Sequence, residues 1–259
     1  MVVMVPAIAA FCFGAIIGSF LNVCIWRLPS GESLVYPASR CPHCKTRIRS
    51  RDNIPVISYL LLRGHCRACG HPISLRYPVV EVLTGVLLVL LVYRFDLSPA
   101  LAVSGVFVAA LIVVSFIDLD HQIIPDVISL PGIGVGLLLS GLGYGPSFVD
   151  SALGVLCGGG ILYAVAFGYH ALTGREGMGG GDIKLLAMIG AFLGWRGVLV
   201  TLILGSFSGA VVGVTLMIAR GADTRLPIPF GPFLALGSLC ALFFGEQLIH
   251  WYLQLALPV

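Results

Sequence analysis

Charge is what this chain has least of. Only 10% of its 259 residues are Asp, Glu, Lys or Arg, against about a quarter in an ordinary soluble domain. With 58% hydrophobic residues and a mean hydropathy of +1.02, it lacks the polar groups needed to cover a water-soluble fold. A soluble enzyme or binding module is thereby excluded. No low-complexity tail and no fixed-period repeat occurs, so disordered tails and solenoids are excluded as well. No glycine-rich dinucleotide fingerprint is present. No serine or cysteine nucleophile has a plausible base beside it, and no histidine pair has the spacing of a catalytic zinc site. The first apolar segment, Val2 to about Ile25, lacks the basic start and small-residue cleavage site of a signal peptide, so it is expected to be a retained span.

Long apolar runs are what the chain has most of. A membrane-crossing helix needs roughly 20 apolar residues. Such runs fall at about 2–26, 78–95, 99–117, 124–143, 149–172, 182–195, 197–219 and 230–256. The expected fold is therefore an all-α polytopic membrane protein of about eight transmembrane helices. The sixth run is short for a full crossing and is expected to tilt or to pack against protein rather than lipid.

Residues 28–77 interrupt this pattern with a polar loop. Arg27, Arg40, Lys45, Arg47, Arg49, Arg51, Arg63, Arg67 and Arg76 supply nine of the fifteen basic residues. Basic loops stay on the cytoplasmic side, and eight spans then place the loops near 118–126, 173–182 and 220–229 on that side too. Those loops carry Arg175, Lys184, Arg220 and Arg225, whereas the opposite loops carry only Arg94 and Arg196. The expected division is a first helix at 1–27, a cytoplasmic domain at 28–77 and a seven-helix domain at 78–259.

Within the polar loop stand "CPHC" at 41–44 and "CRAC" at 66–69. Two Cys-x-x-Cys turns separated by 21 residues are the signature of a tetrahedral zinc site. Disulfides are the competing assignment, but they conflict with a cytosolic position. Four thiolates leave no open coordination position, so Cys41, Cys44, Cys66 and Cys69 would hold a structural ion in a small zinc-ribbon-like domain. His43, His65 and His71 lie nearby and are expected to be ordinary turn histidines rather than ligands. Cys12, Cys24, Cys157 and Cys240 are scattered in apolar runs and read as packing residues.

Because acids are few, each can be weighed. Asp118, Asp120 and Asp126 lie in "FIDLDHQIIPDVISLPG", and Asp182 opens the run after "GMGGG". All four are expected at one membrane face. An aspartate after glycines is a favoured helix cap, and a solvated turn would explain the other three. Yet an interfacial turn on the basic side that is net acidic is unusual, and ionisable groups at membrane depth mark functional sites. Two carboxylates on one face suggest an aspartyl protease, in which one acid activates water and the other polarises the scissile carbonyl. The helix macrodipole favours charge on Asp182, which starts a span, over Asp118, which ends one. Glycines at 179, 180 and 181 allow close approach of a substrate strand. Lys184 is expected to face the lipid headgroups. Rival classes are a proton-coupled membrane transporter using the same carboxylates, and a zinc-ribbon docking subunit without chemistry.

In six ordered blocks the chain resembles the bacterial prepilin peptidases, the type IV leader peptidases. These are "GSFLNVCIWRLP" at 18–29, the cysteine region with "DNIPVISYLLLRGHCRAC", "ISLRYPVVE" at 73–81, "FIDLDHQIIPD" at 116–126, "GREGMGGGDIKLLAMIGAFLG" at 174–194 and "IPFGPFLALG" at 228–237. The resemblance implies a Gly-x-Gly-Asp membrane aspartyl protease of the inner membrane, with Asp118 and Asp182 catalytic and its site facing the cytoplasm. It implies cleavage of prepilin or pseudopilin precursors after a glycine, at the junction of a basic leader and an apolar helix. It also implies N-methylation of the new amino terminus, usually phenylalanine, from S-adenosylmethionine, and it links Gly64 to methyl transfer. Presenilin-like enzymes are the alternative within the same class. Arg76 and Glu81, where the loop re-enters the membrane, read first as an interfacial salt bridge and second as contributors to methyl transfer.

Overall fold

The computed structural model describes residues 4–174, 179–220 and 228–256. Those residues form helices α1 (Met4–Arg27), α2 (Ile57–Leu61), α3 (Arg76–Phe95), α4 (Pro99–His121), α5 (Asp126–Gly141), α6 (Phe148–Thr173), α7 (Gly180–Arg220) and α8 (Gly231–Ala256). Among them, α1, α3, α4, α6, α7 and α8 are long and apolar enough to cross a membrane, while α5 has 16 residues. At a rise of about 1.5 Å per residue, α7 would span about 60 Å, twice a bilayer's hydrocarbon core. It does not run straight. Gly194 has φ 70° and ψ 177°, which divides α7 into a short first half and a longer second half. With α5 and that division, the eight expected apolar segments are all helical.

The break at Gly194 has a local cause. Its backbone lies in the left-handed range of φ, which glycine adopts without steric cost. The next side chain, Trp195, donates its indole N–H to Asp150 Oδ1 at 3.2 Å. Asp150 belongs to the first turn of α6, where its amide is capped by Ser147 Oγ at 3.1 Å. The chain therefore turns where one cap fastens two helices.

Two compact units divide the chain, one up to Val113 and the other from Val114 onward. In the first, α1 packs on α3 through glycines. A Cβ on Gly14 would lie 2.8 Å from the Gly85 Cα, and one on Gly18 would lie 2.7 Å from the Glu81 Cα. Lipid supplies no hydrophobic driving force between helices, so such close backbone contact is how they adhere.

The second unit is built around the first half of α7. Leu185, Leu186, Met188, Ile189 and Ala191 are buried there. Gly132 of α5 is filled by Met188, a Cβ on Gly136 would lie 2.7 Å from the Ala191 Cβ, and Gly154 of α6 meets the Gly190 backbone. The short sixth run is thus packed against protein, as its length required.

Candidate active site and metal centre

In the second unit the acids come to helix ends. Asp118 lies in the last full turn of α4 and is buried. Asp182 lies in the first turn of α7. The two carboxylates are close enough to act electrostatically on one another. A third element reaches Asp118. Gly231, the first residue of α8, donates its backbone N–H to Asp118 Oδ2 at 2.9 Å. The amides of a helix's first turn have no partner within the helix, and Asp118 satisfies this one. A Cβ on Gly231 would sit 2.7 Å from that same oxygen, so the approach requires glycine.

Gly231 was missed among the candidate residues, although it stands inside the "IPFGPFLALG" block. A backbone donor leaves no side-chain signature, and its partner is 113 residues away. It also alters the electrostatic expectation. A positive helix end was expected at Asp182 only; α8 brings a second one to Asp118.

Asp126 and Lys184 form a close pair. Lys184 Nζ lies 2.7 Å from Asp126 Oδ1 and 2.8 Å from Oδ2, tying the first turn of α5 to the first turn of α7. Lys184 therefore meets a carboxylate rather than only headgroups. Among the three glycines, Gly181 packs tightly, since a Cβ there would lie 2.9 Å from the Ile124 Cβ. Gly179 and Gly180 face open space. Asp120 is exposed at the end of α4. Arg175 and the glycine at 177 fall outside the described residues.

The cysteines meet in the first unit. The Sγ atoms of Cys41, Cys44, Cys66 and Cys69 all lie within 4.8 Å of one another, and Cys41 and Cys69 are 3.9 Å apart. A tetrahedral ion with metal–sulfur bonds of about 2.3 Å sets sulfurs about 3.8 Å apart, so the quartet fits zinc after slight contraction. Each knuckle is a tight turn. Lys45 N donates to Cys41 O at 2.9 Å and Gly70 N to Cys66 O at 2.8 Å, and the donor in each case has positive φ.

The thiols do not behave alike. Cys44 is drawn down to about 6, chiefly by the Thr46 hydroxyl and then its backbone. For Cys69 the His71 amide pulls downward, but desolvation and hydrogen bonds to the other thiols push it up to about 12. Four sulfurs this close cannot all ionise without a cation, and a metal displaces their protons. All eight cysteines are free. His43 and His71 stack on each other at 4.4 Å, and His65 Nδ1 bonds Arg63 O at 2.6 Å, so the histidines are engaged as turn residues. Arg67, inside the second knuckle, forms a two-pronged bond to Asp52 at 2.7–3.0 Å. That guanidinium holds the Asp52 carboxyl below its ordinary range.

Gly64 and Glu81 shape the same unit. Gly64 has φ +70°, and a Cβ on it would meet the Tyr59 hydroxyl at 2.9 Å. The space is filled, so Gly64 makes a turn and does not line a cradle that S-adenosylmethionine would fit. Glu81 Oε2 accepts from the Val56 amide at 2.7 Å, where Val56 has φ 61°. The carboxylate expected in an interfacial salt bridge is thus buried and engaged with backbone.

Comparisons with known proteins place the chain in a family. Residues 12–95 match the Bacterial Peptidase A24 N-terminal domain, and residues 105–214 match the Type IV leader peptidase family. The prepilin leader peptidase/N-methyltransferase of Stutzerimonas stutzeri is 39% identical over 272 residues, covering 96% of this chain and 94% of the relative. The proteins of the same description from Aeromonas hydrophila and Pseudomonas aeruginosa are 39% and 38% identical, each covering 94% of this chain and 92% of the relative. No solved structure matches.

Proposed function

The chain belongs to the type IV leader peptidase family, and from that premise we propose that it is a multi-pass membrane aspartyl endopeptidase with Asp118 and Asp182 as its catalytic pair. It removes the basic leader of type IV prepilins or type II secretion pseudopilins and N-methylates the new amino terminus. The observation that supports the assignment is the placing of two carboxylates at helix ends within electrostatic reach of one another, with the Gly231 amide fixed on Asp118.

The chemistry needs one proton between the two acids. The charged carboxylate takes a proton from water, and the resulting hydroxide bonds to the scissile carbonyl carbon. The protonated acid gives its proton to the carbonyl oxygen, which makes a tetrahedral diol. When that intermediate collapses, the carbon–nitrogen bond breaks and the departing amine takes a proton from the dyad. Gly231 holds one oxygen of Asp118 and leaves the other for water. Gly179 and Gly180, with open space around them, leave room for an extended substrate segment.

The positive-inside bias supports an inner-membrane protein whose dyad faces the cytoplasm. There it meets the boundary between a basic leader and an apolar helix. In this assignment residues 1–27 are the first span, residues 28–77 the metal-stapled domain and residues 78–259 the protease domain. Cys41, Cys44, Cys66 and Cys69 hold Zn2+, which supplies a fold cross-link and no open coordination site. S-adenosylmethionine would supply the methyl group, and Gly64, which the resemblance ties to methyl transfer, would act by shaping the turn beside Tyr59 and not by contact with the cofactor.

The test is incubation of purified protein with a pilin-type precursor, with and without S-adenosylmethionine. Wild type shortens the precursor and, with the cofactor, adds the mass of one methyl group. Asp118→Ala and Asp182→Ala each abolish shortening. Normal cleavage by either variant rules out the dyad.

A further inference from the structure

The short helix α2 lies deeper than its place in the polar loop suggests. The amide of Val56, one residue before α2, bonds Glu81 Oε2 at 2.7 Å. Glu81 is in α3, which begins at Arg76, so it lies about 7.5 Å along that helix at about 1.5 Å per residue. Gly18 of α1 stands at the same level, since a Cβ there would lie 2.7 Å from the Glu81 Cα. Both α1 and α3 are long and apolar enough to cross a membrane. Helical side chains lean toward the N-terminus, which puts Val56 between the levels of Arg76 and Glu81. Trp26, exposed near the end of α1, lies about 12 Å farther along α1 than Gly18. Tryptophan favours the membrane–water interface, so α2 starts at or beneath the headgroups.

That position is held from several sides. Val56 has φ 61°, a costly conformation for a β-branched residue that persists only where its surroundings enforce it. Ser58 is buried, donating to Arg51 O at 3.0 Å and accepting from the Ile54 amide at 2.9 Å. The Tyr59 hydroxyl donates to Ile73 O at 3.4 Å. These two residues turn toward the four-cysteine domain. Ile57, Leu60 and Leu61 share the other face of α2, at i, i+3 and i+4, and are 54%, 68% and 75% exposed.

We propose that α2 is an interfacial foot: Ile57, Leu60 and Leu61 insert into the adjoining leaflet, and the flanking Arg49, Arg51 and Arg63 bind anionic phospholipid headgroups. Interfacial helices bury an apolar face about 5–10 Å into the headgroup and acyl boundary, which matches the depth set by Glu81. All three arginines are exposed. The only acid between Ser33 and Val80 is Asp52, and Arg67 already takes it. The surface is therefore complementary to negative headgroups. A second copy of the chain would bring the same positive charge against it. Through Ser58 and Tyr59 the foot ties the four-cysteine domain to the bilayer.

The experiment uses the full-length protein in vesicles of phosphatidylcholine, with and without phosphatidylglycerol. A benzophenone-bearing residue replaces Leu60 or Leu61 in turn, and the adducts formed on irradiation are identified by mass. Both positions should capture phospholipid. In mixed vesicles the anionic lipid should be enriched over its share by at least roughly fivefold, the contribution of one basic residue at an anionic surface. Combining Arg49→Gln, Arg51→Gln and Arg63→Gln should abolish the enrichment while lipid is still captured. High salt, which screens exposed charges, should lower the enrichment with all three arginines in place, so the test does not depend on the folding of that variant. Capture of a second copy of the chain or of an added pilin-type precursor in place of lipid, or no capture at all, would overturn the foot. Equal capture of the two lipids at low salt would overturn the headgroup assignment.

Discussion

Replacing Gly231 by alanine is the sharpest perturbation of the dyad, because it adds one carbon and removes no side chain. That carbon would lie 2.7 Å from Asp118 Oδ2, 3.2 Å from Cγ and 3.4 Å from Cβ. All three contacts are with one short side chain, so the whole carboxylate must turn away and lose the 2.9 Å bond to the amide. A hydrogen bond to a charged acceptor contributes about 1.5–3 kcal/mol. At about 1.4 kcal/mol per tenfold in rate, kcat for precursor cleavage should fall roughly ten- to a hundredfold. KM should change little, since the added carbon faces Asp118 and not the open space beside Gly179 and Gly180. Gly231 lies within a helix, and its φ is outside the left-handed range, so alanine itself introduces no backbone strain. Gly245→Ala on the same helix, where a Cβ meets nothing within 4 Å, is the control and should keep full activity. Cleavage by Gly231→Ala within twofold of wild type would refute a role for this amide, as would an equal loss in Gly245→Ala.

Two further outcomes follow from the geometry. Cys66→Ser should lower bound zinc from about one equivalent to near zero by elemental analysis, because one ligand of a closed four-sulfur site is lost; wild-type protein with less than about half an equivalent would count against the metal centre. Asp126→Lys should cut cleavage several-fold by pushing the starts of α5 and α7 apart, and Lys184→Asp in the same chain should restore it. Because the pair is partly exposed, its direct contribution is at most about 1 kcal/mol, so the melting temperature should move little. A double variant as impaired as the sum of its singles would discard the clamp.

Hydropathy made the helices legible, since each crossing must satisfy its backbone internally and present apolar side chains to lipid. The division inside α7 was legible too. It falls at Gly194, within a residue or two of the break expected between 195 and 197. Cys41, Cys44, Cys66 and Cys69 were recognisable because chelation imposes a spacing. What could not be read were contacts between distant positions where one partner is backbone. Gly231 on Asp118 is one case, and Val56 on Glu81 is another. In both, the side chain was noticed and its partner was wrong or absent, because an amide looks the same at every position in a sequence. The Lys184–Asp126 pair was missed for a different reason. Its members are 58 residues apart, and only the fold brings the starts of α5 and α7 together.

The scarcity of charge and the presence of two proposed catalytic acids then have a common solution. A carboxylate near the membrane needs donors, and adding a lysine or arginine for each would raise the cost of burial. Helix starts offer donors without net charge, because their first amides have no partner in the helix. Asp182 lies in the first turn of α7, and Asp118 takes the first amide of α8. That amide reaches its acid at 2.9 Å without displacing it only where no side chain intervenes, which favours a glycine at 231. The glycine-rich composition is thus used twice, for close packing of helices and for bringing backbone donors to charge. An acid supported in this way needs no basic partner, which keeps the basic residues for the loops, where they orient the chain.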